Sequence, residues 1–214
     1  RRVDSDGKTL NESQILKGYS KEKIFTKLFN FDLPSVSCSG IYKRTLFDNK
    51  ECLYPIKNIY NEDTATIYKL YYFSKSISIL DDVYYNWHYT SLSKTNSISQ
   101  KHLDDMLIVL DSIKIFLLRY EIYSKYRDEF IKSIFKSILK KSYQIINFEN
   151  NRDSQLLLTK NLLDSICNKN YFNKKEVLQI RSMRPTLYYT TLHDILKLSH
   201  KHIILNFFNK DDIQ

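Results

Sequence analysis

Glu62 and Asp63 directly follow Asn61 and open an apolar-periodic run, which sets ionised carboxylates at the positive end of a helix, where catalytic bases are often held. The competing account of the same pair is structural. Two carboxylates complement the helix dipole, with Asn61 as cap, an effect worth about 0.3–1 kcal/mol per charge. Further along, Tyr84, Tyr85 and Trp87 in VYYNWHY offer ring faces on which sugar C–H groups can pack, although aromatics in strands more often serve a core. Lys43-Arg44 in IYKRTLF can meet phosphate, or is simply a solvated basic step on a turn.

Metal chemistry has little to work with. Cys38, Cys52 and Cys167 are an odd number at wide spacing, with no Cys-x-x-Cys pair and no His pair at ligand spacing, so a reducing compartment and free thiols are expected.

These residues need elements to hold them. Asp-Gly at Asp6-Gly7 marks a polar hairpin or turn across Val3 to Leu10. Ser20 caps a short helix whose positions Ile24, Phe25, Leu28 and Phe29 share one face, ended by Leu33-Pro34. A loop with Pro55 leads to Glu62, from which Ala65, Ile67, Tyr68, Leu70, Tyr71 and Tyr72 predict a helix of about three turns with a wide apolar surface. Ser76 to Leu80 and Val83 to His88 read as two β segments split by Asp81-Asp82.

After Ser99 the pattern changes. Leu103, Met106, Leu107, Leu110, Ile113, Phe116, Leu117 and Tyr120 recur at three and four residues, the spacing of one helix face. Phe130, Ile131, Ile134, Phe135, Ile138 and Leu139 repeat it, and Leu156 to Cys167, Lys174 to Arg181 and Thr190 to Phe208 predict three more helices. The composition break near Gln100 places a boundary there, giving residues 1–100 and an all-helical 101–214.

The 214 residues, 43% hydrophobic and 14% aromatic, suffice for a real core, and only 3 Gly and 3 Pro favour long helices joined by short polar connections over an all-β barrel. The net charge of +9 comes from lysines scattered among carboxylates in a chain rich in Lys, Asn, Ile and Tyr, a mixture that an AT-rich coding bias produces. With no Arg stripe and interleaved aromatics, no nucleic-acid partner is expected. The longest apolar runs, Met106 to Leu110 and Ile115 to Leu118, are far short of the roughly 20 residues of a membrane span, so a cytoplasmic chain, either soluble or peripheral at the inner face of the membrane, is expected. A start at Arg1-Arg2 without Met suggests a fragment or a processed piece.

The order IYKRTLF, a loop with Tyr54-Pro55, NED opening a helix, then VYYNWHY closing on NSIS resembles the C-terminal half of bacterial family-2 type glycosyltransferases, over about Val3 to Gln100. The resemblance implies an α/β fold: a partial GT-A half-domain, the acceptor-side half, followed by the helical C-terminal region. It implies sugar transfer with inversion from a nucleotide-sugar donor to a glycan or lipid-linked acceptor. Asp63, with Glu62 beside it, would be the base that takes the acceptor hydroxyl's proton as the nucleoside diphosphate leaves. His88, Trp87, Tyr42 and Lys43 would contact substrate. A divalent metal, Mn or Mg, would neutralise the donor diphosphate in the intact enzyme, with its Asp-x-Asp ligands missing here, because Asp4-Ser5-Asp6 has the letters but no apolar strand before it.

The rival expectation is a non-catalytic basic helical interaction module that binds a partner protein, a membrane surface or RNA. Its main support is Tyr126 to Tyr143, where Lys132, Lys136, Lys140 and Lys141 alternate with the apolar set, either to rest on anionic lipid or to meet water while the apolar face packs in a bundle.

Overall fold

A computed structural model describes residues 2–3, 9–11, 19–29, 33, 35–53, 58–78, 85–88, 97–178 and 180. Its elements in chain order are β1 (Arg2–Val3), β2 (Thr9–Asn11), α1 (Lys21–Phe29), three short 3-10 turns at Ser37–Ser39, Arg44–Asp48 and Lys50–Cys52, α2 (Glu62–Phe73), β3 (Trp87–His88), α3 (Gln100–Arg119), α4 (Tyr123–Phe148) and α5 (Arg152–Cys167).

The expected α/β half-domain is corrected by this order: the described residues are predominantly helical. The strands are two, three and two residues long, in the order β2-β1-β3, with β1 antiparallel to β2 and parallel to β3. So small a patch has no face on which layers of helix could stack, as a GT-A half requires. Of the two predicted β segments, Ser76–Ser78 takes no regular form and only Trp87–His88 is a strand; residues 79–84 lie outside the described set. Asp4, Asp6, Tyr54, Pro55 and the helix expected over Thr190 to Phe208 also lie outside it.

Chain contacts divide the protein into two units, Arg1–Ser137 and Ile138–Gln214, so the division falls inside α4. Gln100, where the composition changes, is the first residue of α3 within the first unit.

The first unit is organised around α2. This helix packs against α1, α3 and the Lys50–Cys52 turn, and every residue from Ala65 to Leu70 is buried. Six consecutive buried positions cover all sides of a helix, so α2 is an internal helix without a wet face. One side meets Ile24, Leu28, Leu33 and Cys52, with Tyr42, Leu46 and Phe47 packed on that cluster. The other meets aromatic rings: Tyr68 is edge-on to Phe116 at 5.0 Å, and Tyr72 to Phe116 at 5.2 Å, while Phe25 meets Tyr126 at 5.0 Å. Such ring pairs add about 0.5–1.5 kcal/mol each beyond the area they bury.

Local capping explains the helix ends. Ser20 Oγ accepts from Lys23 N at 3.2 Å, capping α1. Asn61 stands at the cap position of α2 but in the left-handed region, φ 64°, and its side chain makes no cap bond, so the expected Asn61 cap is backbone only. At the end of α3 the chain turns through Glu121, φ 56°; Ile122 N donates to Leu117 O and Glu121 N to Leu118 O, the paired bonds of a Schellman turn built without glycine.

In the second unit, Ile138 and Ile145 of α4 and Leu158, Leu162, Leu163 and Ile166 of α5 are buried. Gln155 Nε2 donates to Glu149 O at 2.6 Å and to Ile146 O at 3.5 Å, closing carbonyls left open at the end of α4, while Asn151 Oδ1 caps α5 through Ser154 N at 2.9 Å. Residues 174–178 and 180 are helical, opened by a reciprocal pair in which Glu176 N donates to Asn173 Oδ1 and Asn173 N to Glu176 Oε2.

Candidate functional site

The residues expected to work together are distributed as follows. Glu62 and Asp63 occupy the first turn of α2, Glu62 exposed and Asp63 half-buried. Neighbouring Thr66 is buried, with its hydroxyl donating to Glu62 O at 3.1 Å, and Thr64 Oγ1 meets Ser35 Oγ at 3.0 Å. Tyr42 is half-buried against the Cys52, Ile67 and Leu70 cluster, with its ring so close to Gly40 that a Cβ there would come within 2.8 Å of the hydroxyl oxygen. Lys43 is exposed just before the Arg44–Asp48 turn. Trp87 and His88 are placed by their backbone in β3, beside Arg2 and Val3.

At the entrance to α2 the carboxylate that bonds the backbone is one the sequence did not single out. Asp105 on α3, only 3% exposed, accepts from Tyr60 N at 2.8 Å and from Lys101 Nζ at 2.7 Å. One turn earlier on the same helix, His102 lies face to face on Tyr60, centroids 3.7 Å apart and planes 17° from parallel, and its Nδ1 is 2.8 Å from Ser99 Oγ. Ser99 is the α3 cap residue and His102 the third helical residue, so the contact is a side-chain bracket at a helix start, with His in the place usually taken by Glu or Gln. The signal available in the sequence was Asp105 standing beside Leu103 and Met106 in the apolar stripe.

A second concentration of polar groups lies at the other end of α2. Lys69 is 8% exposed, and among the described residues its Nζ makes no hydrogen bond or ion pair; it stands 5.8 Å from the centroid of the Tyr68 ring. The nearby charges are Glu51 and Arg119, but these two pair with one another. Burial lowers the Lys69 ammonium below its ordinary range, an effect that Glu51 opposes and Arg119 reinforces. Cys52 beside it is fully buried, and burial pushes its thiol up, away from the reactive thiolate. Burial likewise raises the Tyr68 hydroxyl, which donates to Ser112 O at 3.4 Å.

Some surface charges are paired among the described residues. Lys125 pairs with Glu22 at 2.8 Å and Arg127 with Asp128 at 3.5 Å. Within α4 the expected lysine face is uneven: Lys140 is exposed, Lys132 and Lys136 are half-buried, and Lys141 is buried with its Nζ donating to Gln144 Oε1 at 2.9 Å. Among the described residues no group of three His, Cys, Asp or Glu side chains is arranged for a metal, and no helix is long and apolar enough to cross a membrane.

No protein-family model, curated protein or solved structure matches this chain.

Proposed function

We propose that the chain is a helical interaction module that binds a partner protein through the outward face of α3. The observation that carries this reading is an apolar row on that helix: Ile108, Ile115 and Leu118 are 39%, 55% and 52% exposed, at spacings of seven and three. That spacing sets all three side chains on one helix face, the arrangement by which an amphipathic helix docks against a protein groove. Exposed apolar groups in a row are uncommon on a surface that meets only water.

Lys101, Asp104, Lys114 and Arg119 lie along the same helix, both signs interspersed. A mixed rim suits a protein partner better than lipid or RNA, which reward a face of one sign. Sugar transfer with Asp63 as base, a divalent metal and a lipid-linked or glycan acceptor would have required the sheet-backed half-domain corrected above, so the rival module is the reading adopted.

The test is site-specific photo-crosslinking in cells, with a benzophenone amino acid at Ile115 and, as control, at exposed Lys160 of α5. A discrete adduct at position 115, absent at 160 and lost on Leu118→Lys, supports the module. Identical adduct patterns at both positions would refute it. Sedimentation of the purified chain then tells whether the partner is a second copy.

A further inference from the structure

We infer that the protein partner is a second copy of this chain, laid antiparallel on the outward face of α3 about a two-fold axis, an inference that rests on the docking role proposed above for that face. Its basis is the order of residues along the exposed side of the helix. Asp104, Ile108, Ile115 and Arg119 are all exposed and follow one another at spacings of four, seven and four. At about 100° per residue the four fall within roughly 60° of the helix circumference, so they form one continuous line. Lys101, at the start of the same side, is already held by Asp105 at 2.7 Å.

The line is its own complement. The midpoint between Ile108 and Ile115 is also the midpoint between Asp104 and Arg119. A copy turned end to end about that point lays Ile108 on the Ile115 of the other chain and Asp104 on its Arg119, and the two-fold makes each contact twice. A parallel copy would set Asp104 against Asp104 and Arg119 against Arg119, which like charges disfavour. Beside the axis lie Asp111 and Ser112, both half-buried, with Lys114 three residues from Asp111 to offset the approach of two carboxylates.

The charged ends can serve a second chain without giving up what they hold in their own. Arg119 donates to Glu51 through Nη1, and a guanidinium carries five N–H donors. Asp104 Oδ1 accepts from Gln100 Nε2 at 2.9 Å, and a carboxylate has acceptor sites for several bonds. From Asp104 to Arg119 the line is about 23 Å long. One helix wide, it falls short of the roughly 800 Å² per partner of a standard interface, so the dimer is reversible and depends on concentration.

The experiment is sedimentation of the purified full chain over a range of concentrations, with two charge-reversed variants, Asp104→Arg and Arg119→Asp. Wild type should pass from monomer to dimer as concentration rises. Each variant alone should associate about tenfold or more weakly, because like charges then meet twice. An equimolar mixture of the two variants rebuilds both contacts and should recover wild-type association, a rescue between chains that no change within one chain can produce. Circular dichroism checks that each variant is folded; should either fail, Ile108→Lys and Ile115→Glu repeat the design, weak alone and associated when mixed. A chain that stays monomeric up to about 0.5 mM, single variants that associate as well as wild type, or a mixture no better than its parts would overturn the inference. A monomeric chain that still gives a discrete crosslinked adduct at Ile115, of a mass other than twice its own, keeps the docking face and gives it a different occupant. Identical adducts at Ile115 and Lys160 remove the face itself.

Discussion

The Asp105 carboxylate on α3 accepts the backbone N–H of Tyr60 at 2.8 Å and so ties the approach to α2 to a residue 45 positions further along the chain. Buried at 3% exposure and shared with Lys101, it fixes the register in which the two helices pack. Truncation as Asp105→Ala strands the Tyr60 N–H away from water. The unfolding free energy should fall by about 2–3 kcal/mol, with Asp105→Asn losing less because an amide oxygen can still accept. Urea titration followed by circular dichroism measures both; a loss below about 0.5 kcal/mol for the alanine variant would mean that water replaces the carboxylate.

Lys69 gives the stability of the protein a recognisable dependence on pH. Its folded-state pKa is depressed by burial below the ordinary 10.5, so between the depressed value and 10.5 the unfolded chain holds more protons and stability rises with pH. Tyr68 and Tyr71 act in the opposite sense: burial raises both above the ordinary 10.0, and the stability they contribute is lost as pH climbs past that value. Desolvation lowers Lys140 in the same sense as Lys69, so chemical denaturation from pH 8 to pH 11 should pass through a maximum, and Lys69→Met should show a shallower rising limb while unfolding at an equal or higher denaturant concentration at pH 8.

Glu121 adopts φ 56° at the turn between α3 and α4, a conformation in which Cβ crowds the backbone by about 1–2 kcal/mol. Glu121→Gly removes that crowding and returns part of the gain as extra freedom of the unfolded chain, for a net stabilisation of about 0.5 kcal/mol. Glu121→Val should be destabilising. Thermal midpoints of the two variants should move in opposite directions.

In the second unit, Gln155 closes the α4 terminus through Glu149 O at 2.6 Å. Gln155→Leu keeps the bulk and deletes the donor, and should lower stability by about 1 kcal/mol, with faster amide exchange in the last turn of α4. Unaltered exchange there would show that the carbonyls find other donors.

What the sequence disclosed was carried by spacing. Leu103, Met106, Leu110, Ile113, Phe116 and Leu117 were readable as the inner face of α3 because three-four periodicity persists over five turns, and all six are buried. Ser20 was readable as a cap from its type and its place ahead of an apolar run. Of the two β segments, Trp87–His88 is a strand, whereas Ser76–Ser78 is not, for a compositional reason. In a chain with 17 Tyr and 12 Phe and abundant Ile, residues of high strand propensity occur everywhere, and runs such as Ser76 to Leu80 lose their meaning.

Glu62 and Asp63 were correctly located at a helix start, but the role of Asp105 depends on α3 meeting α2, a contact across the chain that no local pattern announces. Lys69 was invisible for a related cause. A lysine inside an apolar run reads as the wet side of a helix, and α2 has none.

That enclosure of α2 also fixes how the first unit comes apart. A segment covered by neighbours around its whole circumference cannot fray sideways or peel off alone, so its amide protons between Ala65 and Leu70 wait for wholesale disassembly before they trade with deuterium. The slowest-exchanging stretch of the protein should be this short inner rod, slower than the much longer α3, whose outer edge is open to solvent.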